Sequence, residues 1–116
     1  MAFDGSCHCG AVTFTVDADA PETALSCNCS HCRRKSFLLA FLPAEVFTLT
    51  SGEDALTDYH FNKHAITHRF CAICGAQPFA EGKAPDGSEV RAINLRCVPG
   101  IDLDALTLQK VDGASF

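Results

Sequence analysis

Eight cysteines stand in 116 residues, and seven of them fall into three short clusters. These are Cys7-His8-Cys9-Gly10, Cys27-Asn28-Cys29-Ser30-His31-Cys32 and Cys71-Ala72-Ile73-Cys74-Gly75. The opening MAFDGSCHCG carries no basic stretch followed by an apolar run, so no secretion signal is visible and a cytoplasmic location is expected. Thiols are kept reduced there, and clustered cysteines then hold metal rather than pair. Thiolate ligands make zinc the expected ion. A disulfide framework is the contrasting possibility.

A CxxC followed by glycine lets two thiolates face one ion while the glycine permits the sharp backbone reversal around it. Cys71 and Cys74 supply half a tetrahedron in this way, and Cys7 and Cys9, also followed by a glycine, are the natural other half. The middle cluster offers Cys27, Cys29 and Cys32 with no obvious fourth ligand, the count of a site that keeps a position open to outside chemistry. Two zinc ions are therefore expected, one structural and one catalytic. Alternatives stay open: His31 or a distant histidine closes the second site, the seven cysteines divide differently, or a single zinc leaves some thiols free.

Arg33, Arg34 and Lys35 follow the middle cluster directly, either to stabilise thiolates and hold a ligand carboxylate or as a solvated charge run. His60, His64 and His68 lie on or near a predicted hairpin, with His60 and His68 facing either one site or solvent. Cys97 sits outside the clusters and reads as a small buried hydrophobe.

Fourteen acidic against nine basic residues give a net charge of -5, which disfavours nucleic acid as a partner. No apolar run reaches the roughly 18 residues of a membrane span; even SFLLAFLPAEVFTL is broken by Pro43 and Glu45. The length suits one domain over residues 1–116 with a core small enough for metal to be a sizeable part of its folding free energy. No nucleotide-binding glycine loop is present.

The pattern along the chain predicts a mainly β protein of small twisted antiparallel sheets. AVTFTVD alternates strictly, with Val12, Phe14 and Val16 on one face. Glu22–Cys27 reads as a short strand and Ser36–Leu42 as a well-buried one, although a buried helical turn has the same pattern. Val46–Thr50 and Leu56–Phe61 flank the turn Ser51-Gly52-Glu53-Asp54, and Asn62-Lys63-His64 separates Leu56–Phe61 from AITHRF, which together suggest two hairpins. Gln77–Glu81 and Glu89–Val98 bracket a Pro85–Ser88 turn, the last strand placing Arg91, Ile93, Leu95 and Cys97 on one side. Asp102–Leu106 suits a helical turn with an aspartate at its start, and the tail to Phe116 either adds a strand or lies loosely.

At the three motifs GSCHCGAVTFTV, CNCSHCRRKS and RFCAICGAQPF, the chain resembles the glutathione-dependent formaldehyde-activating enzyme family, small zinc proteins of the Mss4-like fold. The stretch YHFNKHAITHRFCAICGAQPF looks closest to the centromere protein V branch. The resemblance implies Cys7, Cys9, Cys71 and Cys74 as structural zinc ligands and Cys27, Cys29 and Cys32 as catalytic ones, the same division that spacing suggests. It also implies a carbon–sulfur lyase forming S-hydroxymethylglutathione reversibly from glutathione and formaldehyde, or a related thiol–aldehyde adduct. Arg33 and Arg34 would position the tripeptide carboxylates and His31 would transfer a proton. The alternative is a zinc-stabilised binding module without catalysis. The sequence carries no sign of an oligomeric state.

Overall fold

The computed structural model describes residues 2–61 and 66–115. Alternation in the AVTFTVD segment has the predicted result: Val12, Phe14 and Val16 are buried while Thr13 and Thr15 are half-buried. β1 (Phe3–Ser6), β2 (Thr13–Val16) and β5 (Phe47–Ser51) form a three-stranded antiparallel sheet in the order β1-β2-β5. A seven-stranded sheet runs β10-β3-β4-β9-β8-β7-β6. Its strands are β3 (Thr23–Cys27), β4 (Leu39–Pro43), β6 (Leu56–Tyr59), β7 (Thr67–Cys71), β8 (Phe79–Lys83), β9 (Glu89–Asn94) and β10 (Thr107–Val111).

The two sheets are joined by a shared aromatic core. Phe14 stacks on Phe47 at 5.3 Å between ring centroids, and Phe47 lies 4.6 Å from Phe79 of the larger sheet. Ile93 and Leu95, both fully buried, complete the layer. Each such side chain contributes about 1.5–3 kcal/mol on burial. Among the described residues no helix is long and apolar enough to cross a membrane.

The mainly β prediction holds, and the hairpin of Leu56–Phe61 with AITHRF appears as the antiparallel β6–β7 pair. The predicted Asn62–His64 turn lies outside the described residues. β8 and β9 form the predicted hairpin, closed by Gly87 N–H donating to the Ala84 carbonyl at 2.9 Å. Asp102 caps the 3-10 turn Leu103–Ala105, its carboxylate accepting from Asp104 N–H at 3.1 Å.

Four expectations are corrected. Val46–Thr50 and Leu56–Phe61 do not pair: β5 joins β2 while β6 belongs to the other sheet, because the turn at Gly52 and the 3-10 segment Glu53–Ala55 carry the chain from one layer to the next. The segment Ser36–Leu42 is not one buried strand. Ser36 ends a helix, Phe37 and Leu38 are buried before the strand, and β4 then alternates, leaving Phe41 51% exposed. The last hairpin strand stops at Asn94, whose side chain accepts from Arg96 N–H at 3.1 Å and starts a 3-10 turn over Leu95–Cys97. Leu95 and Cys97 therefore do not continue the strand face. Finally, the sheets are not wholly antiparallel: the tail strand β10 runs parallel to β3, pairing Thr107 with Thr23 through Val111 with Cys27.

Candidate metal centres

Cys7 follows β1 and Cys71 ends β7, so the first group of thiols gathers where the two sheets meet. The two loops are built alike. Cys7 N–H donates to the Val12 carbonyl at 3.0 Å and Cys71 N–H to the Ala76 carbonyl at 2.9 Å, while Gly10 and Gly75 N–H return to the carbonyls of Cys7 and Cys71. Gly10 and Gly75 take φ of 83° and 80°, a left-handed turn open at no steric cost only to glycine. Backbone amides also point at the sulfurs: Val12 N–H at Cys7 Sγ, 3.3 Å, and Ile73 N–H at Cys71 Sγ, 3.4 Å.

The sulfurs of Cys7, Cys9, Cys71 and Cys74 all lie within 4.8 Å of one another. Cys9 Sγ is 3.7 Å from both Cys7 Sγ and Cys71 Sγ. A tetrahedral ion with sulfur at about 2.3 Å needs sulfurs about 3.8 Å apart, whereas a disulfide needs about 2.05 Å. The group thus fits a metal ion and excludes bonded pairs. Backbone N–H groups of Ala76 and Cys9 pull the Cys74 thiol down to about 6, toward the thiolate that binds metal.

The second group is local. β3 delivers Cys27, Cys29 caps the six-residue helix α1 (Ser30–Lys35), and Cys32 lies in its first turn. A cap residue needs an acceptor for the orphan amides of the first turn, and here the Cys29 sulfur takes that part, accepting from Cys32 N–H at 3.3 Å. Cys29 N–H in turn donates to Cys27 Sγ at 3.4 Å. The three ligand atoms again lie within 4.8 Å, and among the described residues no histidine or carboxylate joins them. His31 therefore does not complete this group. Cys32 is held above the ordinary thiol range by burial and by its neighbours Cys29 and Cys27, the like-charge crowding that a bound cation relieves.

The tail straps this group. Asn28 donates through its amide nitrogen to Asp112 at 2.9 Å and accepts from Ala114 N–H at 2.9 Å. Between these anchors lies Gly113, where a Cβ would overlap Cys27 Sγ and stand 3.2 Å from Cys29 Cβ. Nothing in the cysteine spacing signals this contact.

Beside α1 opens a cavity of about 600 Å³ lined by Ser30, His31, Arg34, Lys35, Tyr59, Phe61, Phe70 and Gln77. His31 turns its ring into an aromatic group, 4.2 Å from His68, 5.1 Å from Phe61 and 5.6 Å from Tyr59. Burial holds both His31 and His68 below the usual imidazole range, His68 at about 4. His60, on the exposed side, lies 3.1 Å from the Thr67 hydroxyl, and its charge adds to the lowering of His68. Arg34 folds back to the Ser30 carbonyl at 2.9 Å and Arg33 is exposed. Cys97 belongs to neither thiol group, and burial raises it to about 11. The sequence reading missed Tyr59, Phe61 and Gln77 as cavity residues; their positions 59, 61 and 77 converge only through the β6-β7-β8 order.

A family model described as glutathione-dependent formaldehyde-activating enzyme matches residues 2–102. Among solved structures the chain is similar to a crystal structure of a Rhodobacter sphaeroides protein, a structural genomics target. The match has a TM-score of 0.78 and 26% identity and covers 91% of this chain and 99% of that one.

Proposed function

The chain belongs to the glutathione-dependent formaldehyde-activating enzyme family, and from that premise we propose that it catalyses reversible addition of a thiol, glutathione in the family's pattern, to formaldehyde or a related aldehyde. The observation that carries this reading is a group of three converging thiols, Cys27, Cys29 and Cys32, with no fourth protein ligand among the described residues. Cys7, Cys9, Cys71 and Cys74 would hold a second, structural ion. Zinc suits both donor sets. Bound at the three-thiol group, such an ion would lower the pKa of the incoming substrate thiol.

The reaction balances without a further reactant. The substrate sulfur bonds to the aldehyde carbon, the carbonyl π pair passes to oxygen, and the proton leaving sulfur ends on that oxygen, giving an S-hydroxymethyl thioether. His31, kept neutral at pH 7 by burial, is suited to carry that proton, and Arg33, on the exposed face after Cys32, to meet a tripeptide carboxylate.

Exchange between formaldehyde and S-hydroxymethylglutathione, followed by NMR on the reduced metal-loaded protein, tests the proposal. Acceleration that disappears in Cys29→Ser while the fold persists is the expected result. A second ion with four protein ligands, no thiol binding and no acceleration would replace this reading with that of a metal-stapled binding module.

A further inference from the structure

The cavity beside α1 has a chemistry that a one-carbon aldehyde does not use. Its wall is made of rings: Tyr59 and His31 are 23° from parallel at 5.6 Å, and Tyr59 and Phe61 are 25° from parallel at 5.8 Å. Phe61 continues the stack onto His68, 19° from parallel at 5.2 Å. Stacked walls of this kind favour a flat ring in offset or edge contact over an aliphatic chain. About 150 Å³ suffices for a benzene ring, so about 600 Å³ admits a ring with substituents.

Two buried polar atoms of the lining residues have no hydrogen-bond partner among the described residues, His31 Nδ1 and Gln77 Oε1. Gln77 is only 5% exposed, and its amide nitrogen lies 3.4 Å from His68 Nδ1, which fixes the oxygen as the atom left over. An amide oxygen can only accept, so an occupant that reaches it must donate. Leaving such an atom unpaired is costly, and an occupant whose hydroxyl or N–H reaches it would recover that cost.

The third feature is charge. In a chain of net charge -5, Arg34 and Lys35 both line this cavity, with Lys35 Nζ 5.6 Å from the centroid of the Phe70 ring. A cationic spot over an aromatic wall selects an anion joined to a ring.

We infer that this cavity binds a small planar aromatic molecule carrying one anionic group and one hydroxyl or N–H donor. Neither glutathione nor formaldehyde has a ring, so the inference goes beyond the thiol-adduct reading. It shares His31 with that reading, although no cysteine among the described residues lines the cavity.

The test is a calorimetric and NMR titration of the metal-loaded full chain with three probes: 4-hydroxybenzoate, benzoate without the donor, and phenol without the anion. 4-Hydroxybenzoate should bind saturably and shift the Tyr59, His31 and Gln77 signals. Benzoate and phenol should each bind about tenfold more weakly, the equivalent of one hydrogen bond or one screened charge contact. Replacing the two exposed cations, Arg34→Gln with Lys35→Gln, should bring 4-hydroxybenzoate down to the level of phenol and leave phenol unchanged. Gln77→Leu should bring it down to the level of benzoate. No saturation by about 10 mM, equal affinity for the three probes, or affinity untouched by the exposed double substitution would overturn the inference. Displacement of the probe by glutathione at equal or lower concentration would also overturn it, by assigning the cavity to the tripeptide.

Discussion

The two thiol groups use the same amide-to-sulfur bonding on opposite kinds of support. Cys9 and Cys71, 62 positions apart, meet across the junction of two sheets, whereas Cys27, Cys29 and Cys32 span six residues at one strand–helix corner. Cross-linking ends about 60 residues apart removes about 4 kcal/mol of denatured-chain entropy in the loop-closure picture, against about 2 kcal/mol for a loop of a few residues. An ion in the first group therefore joins the sheets. An ion in the second would add little to the fold.

The largest contrast is expected from single ligand replacements. Cys71→Ser should abolish cooperative unfolding, since a structural zinc site is worth about 10–16 kcal/mol against a domain stability of about 5–15 kcal/mol. Cys29→Ser should stay folded and lose one equivalent of metal. Circular dichroism with elemental analysis distinguishes the two outcomes, and equal damage from both replacements would erase the contrast. Next in size, a chelator should strip the two ions in separate phases, the local group first and without loss of the far-ultraviolet spectrum. A single phase accompanied by unfolding would show that the groups are not divided as described.

The tail sharpens the comparison further. Gly113→Ala places a Cβ against Cys27 Sγ and should weaken metal retention at the three-thiol group about tenfold, roughly 1.4 kcal/mol, without touching the four-thiol group. Competition with a chromophoric chelator reads both affinities at once, and equal weakening of the two would refute the strap.

The smallest effect concerns pH. Burial holds His68 at about 4 in the folded chain against 6.5 in the unfolded one. The unfolded chain takes up more protons between those values, so the contribution of a neutral His68 is complete above about 6.5 and is lost as pH falls toward about 4. At pH 5.5 the loss should be about 1 kcal/mol, seen as a drop in denaturant midpoint that His68→Phe does not show.

The knuckles could be read from Cys71-Ala72-Ile73-Cys74-Gly75 and Cys7-His8-Cys9-Gly10 because ligand spacing and the glycine turn are local. The burial of Val12, Phe14 and Val16 could be read for the same reason. What the sequence does not display is partner choice. β5 pairs with β2 because Phe47 finds Phe14, and β10 runs beside β3 because the chain returns after a long excursion; neither contact leaves a mark on neighbouring residues. α1 was hidden by its cap: cysteine is not among the side chains that ordinarily start helices, and only a sulfur already held in a cluster takes that part here. His31 and His68, 37 positions apart, become neighbours only when α1 packs beside β7.

X-ray absorption at the zinc edge on reduced, fully loaded protein tests the division between the two groups most directly. Four thiolates at one ion and three at the other average to about 3.5 sulfurs per zinc near 2.3 Å, rising toward about 4 when glutathione is added. Four sulfurs or a protein nitrogen completing both ions before any thiol is added, with no change afterwards, would contradict the account.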